Sequence, residues 1–138
     1  MSVRSFLDTN VLIYTDDQDE PRKQKAALAL IERYRKENNA VISTQVLQEY
    51  FAAVTRKLSV PAPIARRKLE IFAHLAVVRI EVPDILAAID LHRLHSISFW
   101  DALIIRAAQE AGCSVLFTED LQDGWRIDGL EVSNPFRN

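Results

Sequence analysis

The chain has 138 residues, of which 49% are hydrophobic and 26% are charged, and its formal net charge is −2. This length and composition are typical of one globular domain with its own core, and the small net charge excludes a protein that attracts nucleic acid through a strongly basic overall charge. The single cysteine, Cys113, excludes an intramolecular disulfide and a thiolate zinc site. No apolar run approaches the ~20 residues of a membrane span, and Asp8 comes too early for a secretory signal, so we expect a cytoplasmic protein.

Short apolar segments alternate with segments of helical periodicity along the chain. Helices are indicated by apolar residues three or four positions apart and by start signals, as where Pro21 and Pro83 open two of them. The predicted strands are, in order, residues 3–7, 40–42, 77–82 and 114–117, with a short one at 130–132. The predicted helices are residues 20–38, the segment from a cap at Ser43 or Thr44 to 58, and residues 62–75, 83–95 and 99–111.

This alternation predicts an α/β fold, a three-layer α/β/α sandwich with a mainly parallel central sheet. We expect residues 1–138 to form a single domain of this kind. In such a fold the helices run antiparallel to the strands, so their N-termini gather at the carboxyl edge of the sheet, where ligands bind in open α/β sheets.

Acidic residues from distant segments are predicted to meet at that edge. Asp8 follows the first strand directly, and Glu119 and Asp120 follow the strand at 114–117. Asp101 lies in the first turn of one helix, and Glu49 about a turn and a half into another. Carboxylates that close raise each other's pKa unless a cation holds them, and oxygen ligands favour Mg²⁺ or Mn²⁺ over zinc.

Each of these acids also has a purely structural interpretation. Asp8 can cap a helix over residues 9–14, Asp101 has the spacing of a capping box with Ser98, and Glu49 can be a surface glutamate. The helix that carries Asp101 is apolar almost all round, which indicates a buried helix, so its acid calls for a reason and Trp100 is expected in the core.

Four segments resemble, in order and spacing, the acidic motifs of PIN-domain nucleases, and the resemblance is closest to the VapC-like ribonuclease toxins of toxin–antitoxin pairs. It spans residues 5 to 124. The segments are Phe-Leu-Asp8-Thr-Asn-Val-Leu-Ile-Tyr, Ser43-Thr-Gln-Val-Leu-Gln-Glu49-Tyr, Phe-Trp-Asp101-Ala-Leu-Ile and Leu-Phe-Thr118-Glu-Asp120-Leu.

The resemblance implies that Asp8, Glu49, Asp101 and Asp120 form a site that binds Mg²⁺ or Mn²⁺ and hydrolyses RNA phosphodiester bonds. It further implies a PIN-like domain, an antitoxin partner, a homodimer and no membrane association.

Two further positions match the polar residues of these motifs, a hydroxyl at Thr118 and a helper at Asn10. The segment from Asp101 to the fourth acid is one residue longer than the commonest pattern, so Glu119 or Asp123 could take the place of Asp120.

Two other functions compete with this one. A haloacid-dehalogenase-like phosphatase uses an aspartate nucleophile followed two residues later by a second aspartate, but here Asp8 is followed by Asn10. A non-catalytic PIN-like module would instead bind RNA or a partner without cleaving it.

Overall fold

The computed structural model describes residues 2–137, and this part of the chain forms six strands and six helices. The strands are β1 (Ser5–Leu7), β2 (Ala40–Ser43), β3 (Ala76–Val78), β4 (Val115–Phe117), β5 (Arg126–Ile127) and β6 (Leu130–Ser133). The helices are α1 (Thr9–Tyr14), α2 (Pro21–Lys36), α3 (Thr44–Lys57), α4 (Ala62–Phe72), α5 (Val82–His95) and α6 (Phe99–Glu110).

All six strands belong to one sheet, in the order β3-β2-β1-β4-β6-β5. Every neighbouring pair is parallel except β5 and β6, which form an antiparallel hairpin. From β1 the chain extends one way through β2 and β3 and then returns past β1 to β4. Because crossovers between parallel strands are right-handed, this reversal puts helices on both faces of the sheet. The predicted α/β class with a mainly parallel sheet is confirmed.

The central strands are mostly apolar, with Ser5 and Ser43 as buried polar exceptions, because both of their faces are covered. Phe6 and Leu7 of β1, Val41 and Ile42 of β2, and Leu116 of β4 are all fully buried. They belong to one core cluster that includes residues of α1, α2, α3, α4 and α6. The strands that deliver the acidic residues are therefore the most deeply buried part of the molecule.

Local signals set the ends of the helices. The Ser43 hydroxyl accepts a hydrogen bond from the Val46 N–H at 3.3 Å and caps α3. Gly112, with φ of +71°, follows the end of α6, and the next N–H, from Cys113, donates to the Ala108 carbonyl at 3.0 Å. The left-handed backbone that glycine adopts without strain turns the chain directly into β4.

The predicted strand over residues 77–82 is wrong in its extent. Pairing with β2 ends at Val78, and the Ile80 N–H instead donates to the Thr44 hydroxyl at 3.3 Å. α5 already begins at Val82, because the Asp84 carboxylate accepts a hydrogen bond from the Glu81 N–H at 2.9 Å and so fixes its first turn.

Other elements differ from the prediction by a few residues. The helix predicted to reach residue 75 ends at Phe72, and the two-residue strand β5 was not predicted. Among residues 2–137, no helix combines the length and the apolar character that crossing a membrane requires.

Candidate active site

Asp8 lies between β1 and β4, where the order in which strands are added to the sheet reverses. Its N–H donates to the Phe117 carbonyl at 3.0 Å, which extends the pairing of the two strands by one residue. One carboxylate oxygen accepts from the Thr9 N–H and the other from the Thr118 hydroxyl, both at 2.7 Å. Asp8 therefore caps α1, as its structural interpretation supposed, and also points to the edge where ligands bind in such sheets.

Thr118 joins the segments that meet at this edge. Its fully buried hydroxyl donates to Asp8, accepts from the Asp120 N–H at 3.0 Å, and accepts from the Asn10 side-chain amide at 3.2 Å. The same Asn10 amide donates to the Asp120 carboxylate at 3.1 Å. The positions of Asp8 and Asp120 are thus linked through one threonine and one asparagine.

The other two acids of the cluster come from helices. Glu49, on α3, accepts from the Thr9 hydroxyl at 2.6 Å and from the Gln45 amide at 3.2 Å, so it faces the site and not bulk solvent. Asp101 is half-buried in the first turn of α6, where its N–H donates to the Ser98 hydroxyl at 3.0 Å. Ser98 caps α6 as expected.

The three acids that follow β4 occupy three different environments. Glu119 accepts hydrogen bonds from the Tyr14 hydroxyl and from the Lys23 ammonium, the latter at 3.0 Å. Asp123 holds a turn near the C-terminus, where it accepts from the Asn134 N–H at 2.8 Å and pairs with an arginine at 3.0 Å. Asp120 is the acid of the three that is linked to Asp8 by hydrogen bonds.

Two of the four acids in the cluster have raised pKa values. Burial, opposed by hydrogen bonds from Thr118 and Thr9, raises the pKa of Asp8 to about 7, and the charges of Asp120 and Glu49 act in the same direction. Asp8 is 4% exposed. The pKa of Asp101 is also raised, first by burial and then by the charges of Asp120 and Glu49, against the hydrogen bond from Ser98. Within the described part of the chain, none of the four acids forms an ion pair.

The donor set suits a hard divalent cation. All the candidate ligand atoms are oxygens, burial and mutual repulsion raise the pKa of two of the carboxyls, and a cation would relieve both effects. Two buried side-chain oxygens close to the acids, Oδ1 of Asn10 and Oε1 of Gln45, have no hydrogen-bond partner. In residues 2–137, however, no three His, Cys, Asp or Glu side chains already converge closely enough to hold a metal ion.

Sequence reasoning missed three residues of the site. The Thr9 hydroxyl and the Gln45 amide both hold Glu49, and polar side chains of this kind carry no distinctive sequence signal. Trp100, expected in the core, is 61% exposed, so that expectation is wrong. It lies in the first turn of α6, before the helix enters the core at Ala102.

Comparisons with known proteins identify the fold and the family. The family model for the PIN domain matches residues 5–122. A search of curated proteins gives no significant match.

Solved structures of similar fold come from toxin–antitoxin systems. VapC20 of Mycobacterium tuberculosis, described as a sarcin-ricin loop cleaving toxin, is 19% identical with a TM-score of 0.66, over 84% of this chain and 91% of that chain. A toxin–antitoxin complex from Klebsiella pneumoniae is 21% identical with a TM-score of 0.69, over 95% of this chain and 97% of that chain. VapBC2 from Rickettsia felis, bound to a DNA fragment from its promoter, is 21% identical with a TM-score of 0.69, over 94% of this chain and 97% of that chain. The family model covers most of the chain and includes all four acids, and the chain belongs to the PIN domain family.

Proposed function

We propose that this protein is a Mg²⁺- or Mn²⁺-dependent endoribonuclease and the toxin of a toxin–antitoxin pair. The observation that carries this proposal is the gathering of Asp8, Glu49, Asp101 and Asp120 from four distant segments at one sheet edge, without a basic partner among residues 2–137. A structural cluster of this kind would be costly, because like charges repel in a poorly solvated site. Membership of the PIN family and the similarity in fold to a toxin described as cleaving the sarcin-ricin loop support the same conclusion.

Each acid has a role that follows from its surroundings. Asp8 and Asp101 would hold the cation, since their raised pKa values reflect unrelieved burial and repulsion. Glu49 and Asp120 would complete the set of ligands or orient water. When bound, a divalent cation supplies polarisation of a phosphoryl oxygen and a lower pKa for the attacking water.

The residues around the acids hold this arrangement in place. Thr118 fixes the orientation of the Asp8 carboxylate through its hydroxyl, and Asn10 positions Asp120 through its amide. Thr9 orients Glu49 in the same way. Each of these hydrogen bonds restricts the rotation of the carboxylate that accepts it, so the carboxylate keeps a fixed orientation at the edge of the sheet.

One cleavage assay and one measurement of metal binding test the enzymatic part of the proposal. Purified protein is incubated with labelled RNAs of varied sequence and structure in EDTA, Mg²⁺ or Mn²⁺. We expect cleavage with a divalent cation and a loss of at least about 100-fold in Asp8→Asn and Asp101→Asn, because removing a ligand or an electrostatic stabiliser typically costs that much. Mn²⁺ binding, followed by calorimetry, should weaken in the same two variants.

The fourth acid is tested by a matched pair of variants. Asp120→Asn should lose activity, whereas Glu119→Gln, which changes the neighbouring acid that pairs with Lys23, should keep it.

If the parent cleaves no RNA with either cation but still binds RNA, the non-catalytic alternative is the correct one. Equal Mn²⁺ affinity in the parent, Asp8→Asn and Asp101→Asn would overturn the metal site.

The toxin assignment has its own test. We propose that the protein acts in the cytoplasm, pairs with a second copy of itself and is inhibited by an antitoxin encoded beside it. Expression of the parent in a bacterial host should arrest growth, expression of Asp101→Asn should not, and co-expression of the neighbouring small reading frame should restore growth. Arrest that is equally strong with Asp101→Asn would contradict this assignment, and light scattering of the pure protein tests the dimer.

A further inference from the structure

Trp100 presents a large aromatic surface beside the acidic cluster. It immediately precedes Asp101 in the first turn of α6, and its side chain is 61% exposed. Burying a side chain of this size favours folding, so its exposure at this place calls for an explanation. Other residues of α6, from Ala102 to Ile105, are buried.

The indole is exposed but it is braced. The Phe99 ring packs edge-on against it, with ring centroids 5.2 Å apart and an interplanar angle of 70°. Phe99 in turn packs against the small apolar cluster of Ala88, Ala102 and Leu103 between α5 and α6. The indole is therefore supported by a neighbouring ring while most of Trp100 stays exposed to solvent.

A buried glutamine ties Trp100 to the acids. Gln45 is 5% exposed, and its amide donates to the Trp100 carbonyl at 3.1 Å and to the Glu49 carboxylate at 3.2 Å. One side-chain amide thus fixes both the backbone of Trp100 and a carboxylate of the site. The same side chain has an oxygen, Oε1, without a hydrogen-bond partner. The two hydrogen bonds of Gln45 join the backbone of Trp100 on α6 to Glu49 on α3, so both ends of this link lie on helices.

The charge of the site makes an uncharged contact with RNA useful. The four acids have no ion-pair partner among residues 2–137, so the cluster without a cation offers the phosphate backbone no attractive charge. Aromatic side chains bind unpaired nucleobases by stacking, which is largely independent of charge and tolerant of sequence, and this is how proteins commonly hold single-stranded RNA.

We propose that Trp100 is a nucleobase-stacking platform that binds an unpaired base of the RNA next to the phosphodiester bond placed at the acidic cluster. This inference rests on the proposed ribonuclease function. Trp100 contacts the substrate, and Gln45 is a positioning residue that acts through the Trp100 backbone and Glu49.

Kinetics on matched variants test the platform. With Mn²⁺ and a short single-stranded RNA of mixed sequence, Trp100→Ala should raise KM by roughly 5- to 100-fold, the range expected for the loss of one stacked base. Trp100→Phe, which keeps an aromatic face, should stay within about threefold of the parent. The control is Leu94→Ala, which removes an exposed apolar side chain from a different helix, α5. Leu94 is 76% exposed, the highest value for a large apolar residue in the described chain. Mn²⁺ affinity and melting temperature should be unchanged in all three variants.

Fluorescence gives a readout that does not depend on cleavage. In a Trp125→Phe background, Trp100 is the remaining tryptophan of the chain, and addition of the RNA in EDTA should quench its emission. An RNA with abasic sites should quench it at least about fivefold less at the same concentration.

The outcomes separate this proposal from the function it rests on. If the parent cleaves RNA while Trp100→Ala keeps the parental KM and RNA leaves the indole emission unchanged, the platform is wrong and the ribonuclease stands. If RNA quenches the emission but nothing is cleaved, the stacking contact stands and the ribonuclease is wrong. If Trp100→Ala changes only the oligomeric state, the indole is covered by a second copy and the proposal is overturned.

Discussion

Replacing Asp8 by asparagine should make the metal-free protein more stable at neutral pH, although it removes the first acid of the site. Burial is the main reason that the folded-state pKa of Asp8 is about 7 rather than its ordinary 3.8. Between these two values the folded state holds a proton that the unfolded state has released. The free energy of unfolding therefore falls as the pH rises through this window, and the whole cost is present above pH 7.

The magnitude follows from the two pKa values. At about 1.36 kcal/mol per pH unit, the difference between 3.8 and about 7 corresponds to ~4 kcal/mol above pH 7. Asparagine carries no charge but exchanges an acceptor for a donor opposite the Thr118 hydroxyl, which costs about 1 kcal/mol for one lost hydrogen bond. Asp8→Asn should then be more stable than the parent by about 3 kcal/mol at pH 8, and the difference should shrink to about 1 kcal/mol or less near pH 4.5.

Urea unfolding in EDTA at pH 4.5, 6 and 8 measures this difference directly. Asp90→Asn, which removes an exposed acid on α5, is the control and should follow the parent at all three pH values. Addition of Mn²⁺ at pH 8 should stabilise the parent more than Asp8→Asn, because stabilisation by a ligand grows with its affinity for the folded state. A variant less stable than the parent by the same amount at every pH would refute the reasoning, since it would show that the hydrogen bonds of Asp8 outweigh the cost of burying its charge.

Two further predictions concern contacts that stabilise α5 and α6. Asp84→Asn should lower the free energy of unfolding by about 2 kcal/mol, because the buried Asp84 carboxylate pairs with Arg106 at 3.0 Å. The control is Glu70→Gln, which breaks an exposed ion pair on α4 and should cost about 0.5 kcal/mol or less. Equal losses of stability in the two variants, measured by urea unfolding, would contradict the role given to burial. Ser98→Ala should lower the free energy of unfolding by about 1 kcal/mol, because it removes the N-cap of α6. The lost hydrogen bond comes from the Asp101 N–H, so the variant should also bind Mn²⁺ more weakly. Thermal unfolding measures the first effect and calorimetry the second, and the absence of either effect would contradict the prediction.

The sequence predicted those parts of the fold that depend on local signals. Ser98 caps α6 and Pro21 begins α2 as expected, since a hydroxyl or a proline acts on its own turn. The strand predicted at 77–82 was too long, because its end depends on where β2 stops pairing and on a side-chain contact from Thr44, which lies 36 positions away.

The acids of the candidate site could be predicted where the local sequence alone singles them out. Asp8 and Asp101 stand out because each interrupts an apolar segment, which needs no knowledge of distant contacts. The three acids after β4 could not be told apart, because their environments are decided by partners far along the chain, such as Lys23 for Glu119. An apolar helix likewise does not reveal which residues of its first turn leave the core, and Trp100 was misplaced for that reason.

The pairing of β1 with β4 has a consequence for synthesis of the protein. Ser5 pairs with Val115, and the Thr118 hydroxyl reaches Asp8 across 110 positions of sequence. At about 5–20 residues per second, translation completes the first strand long before its second neighbour exists, and such distant pairing folds slowly. Because Asp101 and Asp120 leave the ribosome long after Asp8, the four acids cannot meet until the chain has been made as far as Asp120 and has folded.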